Sequence, residues 1–243
     1  MLLLKKADSI ITVSESLRKK LEKRSNKPSY LIRNIPPNAD VCKENCHYWN
    51  ERFNIPLDSK IIVHTGNAHY RNKRLHYLID EVFERKNLAL IFLGTNKSVD
   101  KIRKMALDKG AFNIYFHEQI PRKYVPYYCS QANFGLVYTW NPFWQSYWYA
   151  LPNKLIDVSL AGIPVLSTSQ PELKAFIDQY QHGVTFKGNS KACRHISQAN
   201  RRRQLSAWSF GQADRSLFVA NSNRPLRPAP VRRGSRPRSR RPS

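Results

Sequence analysis

The stretch "WYALPNKLIDVSLAGIPVLSTS", from Trp148 to Ser169, decides how this chain is read. An aromatic run stops at Tyr149, and Pro152 then suits a first helical position, where its missing N–H costs nothing and its φ is preset. Gly162 ends the helix, Pro164 prevents its continuation, and "IPVLSTS" follows as an apolar strand. The first-turn amides of such a helix point back towards the preceding loop, and the helix dipole adds partial positive charge there. Together they suit a phosphate or another anion, and Lys154 adds a full charge nearby. Asn153 and Asp157 lie at i and i+4 and share one face. A carboxylate at Asp157 can accept two hydrogen bonds from a vicinal diol, such as a ribose 2′,3′-diol, so the pairing suits a nucleoside diphosphate. On the plainer reading Asn153 and Lys154 are solvated and Asp157 only supports the helix. The residues alone leave the two level.

Working outward, apolar β-rich runs alternate with segments of helical period. "SIITV" (Ser9–Val13) reads as a strand, and the helix after it takes Ser14 or Ser16 as its N-cap. "YLIRN" (Tyr30–Asn34) is a second strand. Residues 36–59 read as a Pro-rich polar connector. From Lys60 the pattern strengthens, with "IIVHTG", "LALIFLG", "FNIYFH", "NFGLVY", "IPVLSTS" and "VTF" as strands and helices between them. Leu75, Leu78, Ile79, Val82 and Phe83 form one apolar helix face. Near-continuous apolar strands alternating with helices predict a doubly wound α/β fold with a parallel sheet. Ligands of such sheets sit beyond the carboxyl ends of the strands. That points to the loops after His64, after His117, and from Tyr138 to Leu151.

The chain has 243 residues and a formal charge of +24. Half of that charge falls between Arg194 and Ser243, which hold thirteen Arg, no Lys and one acid, Asp214. This segment lacks helical or strand period and is expected to be disordered. Three origins stay open for it: a solvated tail, an arm for nucleic acid or another anionic surface, or the product of a shifted reading frame. Cys42, Cys46 and His47 form a lone C-x3-C-H cluster, half a metal site at most. Free thiols in a reducing compartment are expected, hence a cytoplasmic protein. "MLLLKK" lacks the order of a signal peptide. No run of ~20 apolar residues exists to span a membrane. Peripheral membrane association stays open.

From Ala7 to about Phe186 the chain resembles the C-terminal, donor-binding half of a family 4-like, or group 1, glycosyltransferase of the GT-B fold. The resemblance is carried by "ADSIITVSESL", "VHTGNAHYRNKRLHYLID", "LIFLG", "IYFHEQIPRKYVPYYCSQANFGLVY" and, most specifically, "ALPNKLIDVSLAGIPVLSTSQPEL". It implies residues 1–35 as the remnant of an N-terminal acceptor domain and 36–59 as a connector. Residues 60–190 become a Rossmann-like domain for the nucleotide sugar, and 191–243 a basic tail. The missing acceptor domain implies a fragment of a longer protein.

The resemblance implies a glycosyltransferase of the hexosyltransferase type that serves glycan or polysaccharide biosynthesis. Its partners would be a nucleotide-sugar donor and a glycan or lipid-linked acceptor. No metal is expected, because helix dipole and basic side chains stabilise the leaving diphosphate. The ribose-binding acid of the family matches Asp157, one methylene shorter than the usual Glu, while the acid eight positions earlier falls on Tyr149. Of the basic pair that grips the pyrophosphate, the Arg position is Asn67 and Lys73 matches the Lys, with Arg71 and Arg74 beside it. Gly66 lets the backbone approach the phosphates. His117 and Gln119 become candidates for holding the base, although His117 reads equally as a plain strand-end histidine. Leu151, Asn153 and Lys154 of the L-P-N-K motif complete the donor contacts. The family pattern identifies no catalytic residue. The aromatics of "TWNPFWQSYWY" form either a docking surface or a stacking platform. A nucleotide-sugar epimerase of the same fold and a nucleic-acid-binding protein without specific readout remain the alternatives.

Overall fold

The computed structural model describes residues 6–35, 47–70, 73–139 and 145–186, with the side chains of 73–74 and 145–146 outside the description. The basic tail, the end of the 60–190 domain after Phe186, and residues 36–46 of the connector, with Cys42 and Cys46, lie outside these residues. Strands β1 (Ile10–Thr12) and β2 (Ser29–Leu31) pair in parallel and are joined by α1 (Glu15–Ser25). Of the two serines, Ser14 is the cap: its Oγ accepts the Leu17 N–H at 3.3 Å.

The connector holds a helix that sequence period did not signal, α2 (Tyr48–Phe53). Six residues are too few to sustain a helix by propensity, so packing holds it. Trp49 is completely buried and its indole N–H donates to the Tyr128 carbonyl at 2.9 Å. The Tyr48 N–H reaches Gln131 Oε1 at 3.2 Å.

The main unit follows as β3 (Lys60–Thr65), α3 (Lys73–Phe83), β4 (Leu88–Leu93), α4 (Lys97–Asp108) and β5 (Ile114–His117). After a 3-10 turn at Arg122–Tyr124 come α5 (Val125–Ser130), β6 (Phe134–Val137), α6 (Gln145–Tyr149) and α7 (Asn153–Leu160). The last elements are β7 (Val165–Thr168), α8 (Pro171–Tyr180) and β8 (Gly183–Phe186). Among the described residues six strands form one sheet in the order β5-β4-β3-β6-β7-β8, every pair parallel. This is the predicted doubly wound α/β sheet. Its order reverses between β3 and β6, which places the switch point there.

The two faces carry separate cores because successive strand residues point to opposite sides. Ile62, Leu90 and Phe92 pack under α3 and α4 with Leu75, Ile79 and Ile102. Ile61, Val63 and Ile91 pack on the other face with Leu155, Val158, Leu173 and Trp49. Gly135 of β6 lets α7 come close: a Cβ there would meet Val158 Cγ1 at 2.2 Å.

The start of α7 differs by one residue from expectation. Pro152 is the N-cap, extended at φ −73° and ψ 144°, and Asn153 is the first helical residue. The Pro152 carbonyl accepts the first intrahelical bond, from the Leu155 N–H at 3.0 Å. A residue of fixed φ serves either position, and the carbonyl of Pro152 is as useful as its missing N–H.

The small sheet is tied to the main unit by polar contacts. The Glu172 carboxylate at the start of α8 accepts the amides of Glu15 and Ser16 at 2.9 and 3.0 Å. Ser14 Oγ donates to the Tyr149 carbonyl, and Lys20 Nζ stands 4.3 Å from the Tyr149 ring centroid. The described part of the aromatic run, α6, therefore touches the β1–α1–β2 unit, while Trp140 to Trp144 lie outside the described residues.

Candidate functional site

The carboxyl ends of β3 and β4, the segment after β5 and the first turn of α7 enclose a crevice of about 380 Å³. Gly66, Asn67, Gln119, Asn153, Lys154 and Asp157, all named from sequence, line it. Gly66 follows β3 directly with φ +67°, a left-handed conformation that disfavours side chains, and a Cβ there would meet nothing within 4 Å. The chain thus presents bare backbone to open space at the strand end. Asn67 is braced by Asn96, whose Nδ2 donates to Asn67 Oδ1 at 2.9 Å.

From the helix side, the amides of Asn153 and Lys154 precede the first intrahelical bond of α7. Asn34 Nδ2, beyond β2, donates to Asn153 Oδ1 at 3.3 Å. Lys154 bends back across the strand ends and donates to the Asn67 carbonyl at 3.2 Å and to His64 Nε2 at 3.3 Å. Burial lowers the Lys154 ammonium to about 8.

Asp157 follows one turn later and is buried, with 6% of its surface exposed. Its Oδ1 has no hydrogen-bond partner. Burial pushes the carboxyl up to about 6, against the opposing pull of the Arg122 guanidinium. A buried acceptor without a donor is costly. At the wall of a crevice, a ligand hydroxyl can supply that donor.

Two candidates are placed elsewhere. The His117 ring is buried outside the crevice lining, with Nε2 2.8 Å from Tyr48 Oη and Nδ1 3.0 Å from the Glu118 carbonyl. Its strand-end position is real, but the helix within the connector occupies its ring. Leu151 packs into the core with Leu155 and Val158 instead of facing the crevice. Its apolar side chain gains more from that burial than from exposure at a polar rim. Lys73 opens α3, but its side chain, like those of Arg71 and Arg74, lies outside the described residues.

The sequence reading omitted Thr65, Gly94, Thr95, Ile120 and Arg122 from the lining. Gly94 had a usable signal, since "LALIFLG" ends in glycine as "IIVHTG" does. Arg122 had none, because it reaches the site through the 3-10 turn. No group of three or more His, Cys, Asp or Glu able to hold a metal ion occurs among the described residues. No described helix is long and apolar enough to cross a membrane.

The family model described as glycosyl transferases group 1 matches residues 59–199. A search of curated proteins finds no match. Among solved structures, sucrose-phosphate synthase from Thermosynechococcus elongatus aligns over 91% of this chain and 56% of its own, at 18% identity and a TM-score of 0.65. HepE from Anabaena, in complex with UDP, aligns over 91% of this chain and 63% of its own, at 11% identity and 0.68. A TarM mutant from S. aureus, in a complex that includes UDP, aligns over 90% of this chain and 42% of its own, at 15% identity and 0.63. At such identities the likeness is one of fold, and the chain spans roughly half the length of these proteins.

Proposed function

The chain belongs to the group 1 glycosyl transferases, and from that premise we propose that its crevice holds the nucleoside diphosphate of a nucleotide-sugar donor. The observation that carries this reading is the unpartnered, buried Oδ1 of Asp157 on the wall that also presents Lys154 and the first amides of α7. The Asn153 and Lys154 amides, the Lys154 ammonium and the bare backbone at Gly66 receive the diphosphate. Asp157, one turn further, accepts the ribose hydroxyls. The backbone beside Gln119 and Ile120 lies where the base extends.

In transfer, negative charge grows on the diphosphate as the bond to the sugar breaks. Fixed amides and an ammonium stabilise it without reorganising, and the proposal assigns that charge to no metal. Solved structures of the same fold in complex with UDP, HepE and TarM, support a nucleoside diphosphate as the ligand class. Transfer to a glycan or lipid-linked acceptor, as in polysaccharide assembly, belongs to the same proposal, since the chain spans 42–63% of those structures.

Calorimetry of the full chain with UDP, GDP and ADP in the presence of a chelator tests the reading. At least one should bind at sub-millimolar concentration. No binding by any of them at millimolar concentration to a folded sample would overturn it.

A further inference from the structure

We propose that His64 is a positioning residue for Lys154, a neutral imidazole that anchors the lysine across the strand ends and holds its ammonium at the crevice. The functional meaning of this inference rests on the donor reading above, but its geometry does not.

His64 sits one residue before the end of β3, after the apolar run Ile61, Ile62 and Val63, and is 1% exposed. A buried imidazole in such a strand is unfavourable unless its nitrogens are bonded. Nδ1 lies 3.1 Å from the Leu136 carbonyl of β6. Nε2 lies 3.4 Å from the Asn67 carbonyl and 3.3 Å from Lys154 Nζ. An ammonium can only donate, so Nε2 carries the lone pair that accepts from Lys154, and the proton sits on Nδ1, which donates to the nearer Leu136 carbonyl. The Phe92 ring closes the far side at 5.7 Å between centroids.

The charge state agrees with this assignment. Burial first, then the Lys154 charge, then the neighbouring His69, lower His64 to about 3, against the two backbone carbonyls that raise it. His64 therefore stays a neutral acceptor over the whole working pH range. An ammonium has three N–H donors. His64 and the Asn67 carbonyl take two, so one is left for an anion. Lys154 is thus pinned from β6 through His64 and from the Gly66 loop through Asn67. Among the described residues the other charged groups lining the crevice are Asp157 on the same helix and Arg122 from the 3-10 turn.

Two substitutions separate positioning from packing. His64→Phe fills the same space beside Phe92 but accepts nothing. His64→Gln keeps one donor for Leu136 and one acceptor for Lys154. UDP affinity should fall about tenfold in His64→Phe, the scale of one lost hydrogen bond to a charged group. It should be largely restored in His64→Gln. In a Lys154→Met background His64→Phe should cost nothing further, because both changes remove one contact.

A second readout needs no nucleotide. Competitive acylation of the lysines, followed by mass spectrometry, gives the titration of Lys154 itself. In His64→Phe the released ammonium should turn to solvent and titrate near an ordinary lysine, while His64→Gln should keep it near 8. An unchanged Lys154 titration in folded His64→Phe, or additive losses in the double variant, would overturn the inference. Absence of UDP binding to the wild type would instead defeat the donor reading, and the acylation result would still decide the role of His64.

Discussion

Val158 of α7 lies where a Cβ on Gly135 of β6 would be, 2.2 Å from Val158 Cγ1. This contact sets how closely the helix approaches the sheet, and so where Asn153, Lys154 and Asp157 stand relative to the ends of β3 and β6. Both residues are buried, and both neighbours of Gly135 on β6 belong to the core. No flexible side-chain end is available to give way.

Gly135→Ala should therefore cost about 1–3 kcal/mol by overpacking and weaken nucleotide binding as α7 is pushed outward. Chemical denaturation and calorimetry on the same samples measure both. Gly135→Ala with Val158→Ala should recover much of the stability, since the second change makes room for the first.

Glu172 should be a fastener of the β1–α1–β2 unit. Its buried carboxylate accepts the two amides that open α1, where the helix dipole favours an anion. Glu172→Gln keeps one acceptor and loses the charge. Glu172→Ala leaves both amides without this partner and should cost about 1.5–3 kcal/mol, the range for bonds to a charged group. Amide hydrogen exchange at Glu15 and Ser16 should rise in the Ala variant well before exchange in the six-stranded sheet. Uniform acceleration across the protein would contradict a local role.

The pH dependence of binding follows from two groups of the crevice whose titration is shifted, Lys154 and Asp157. Lys154 is lowered to about 8 and Asp157 raised to about 6. A diphosphate needs the lysine protonated, and a diol needs the carboxylate ionised. Affinity for a nucleoside diphosphate should thus be highest between about pH 6 and 8. Lys154→Met should abolish the alkaline limb. The terminal phosphate of the ligand itself titrates near pH 6, so the acid limb is read as the difference between wild type and Asp157→Asn.

The same carboxyl makes a stability prediction with a definite sign. Its folded value, about 6, lies above its ordinary value of 3.8. The folded state therefore keeps a proton that the unfolded chain has released. The associated stabilisation is complete below about pH 4 and is lost as pH rises through 6. Two units correspond to about 3 kcal/mol. At pH 7 Asp157→Asn should make the unliganded protein more stable by an amount of that order, while binding worsens. A melting temperature that falls on substitution would show that the carboxylate is satisfied in the folded state.

How much of this was legible in the sequence depends on whether a residue signals through its own chain or through a neighbour. The strand–helix alternation, the glycine at the end of β3 and the Pro152–Pro164 punctuation of α7 are local, and the structure realises them within a residue. Asn153, Lys154 and Asp157 reach one crevice because spacing along a helix is spacing in space. Helix α2 was not legible: its helicity comes from Trp49 and Tyr48 finding Tyr128 and Gln131 far along the chain. His117 shows the same limit. Its place at a strand end could be read, but not that Tyr48 would take its ring nitrogen. His64 looked like one more residue of a buried strand, and its partner Lys154 lies ninety positions away.

The last prediction concerns the contact between Asp157 and the ribose. Asp157→Asn removes the charge and keeps the shape. Hydrogen bonds to a charged group are worth about 1.5–3 kcal/mol, so the affinity of the best-binding nucleoside diphosphate should fall about tenfold or more at pH 7. Asp157→Glu should be better tolerated, since it extends the same carboxylate by one methylene into open crevice. A 2′,3′-dideoxy analogue should bind the wild type weakly and should be nearly indifferent to Asp157→Asn, because mutation and analogue delete the same bonds. The comparison is sharpened by stability. If Asp157→Asn stabilises the unliganded protein while weakening the full ligand and sparing the dideoxy ligand, the buried oxygen is kept for binding and not for folding. If mutation and analogue instead weaken binding additively, the hydroxyls are held elsewhere and the unpartnered Oδ1 of Asp157 has some other donor.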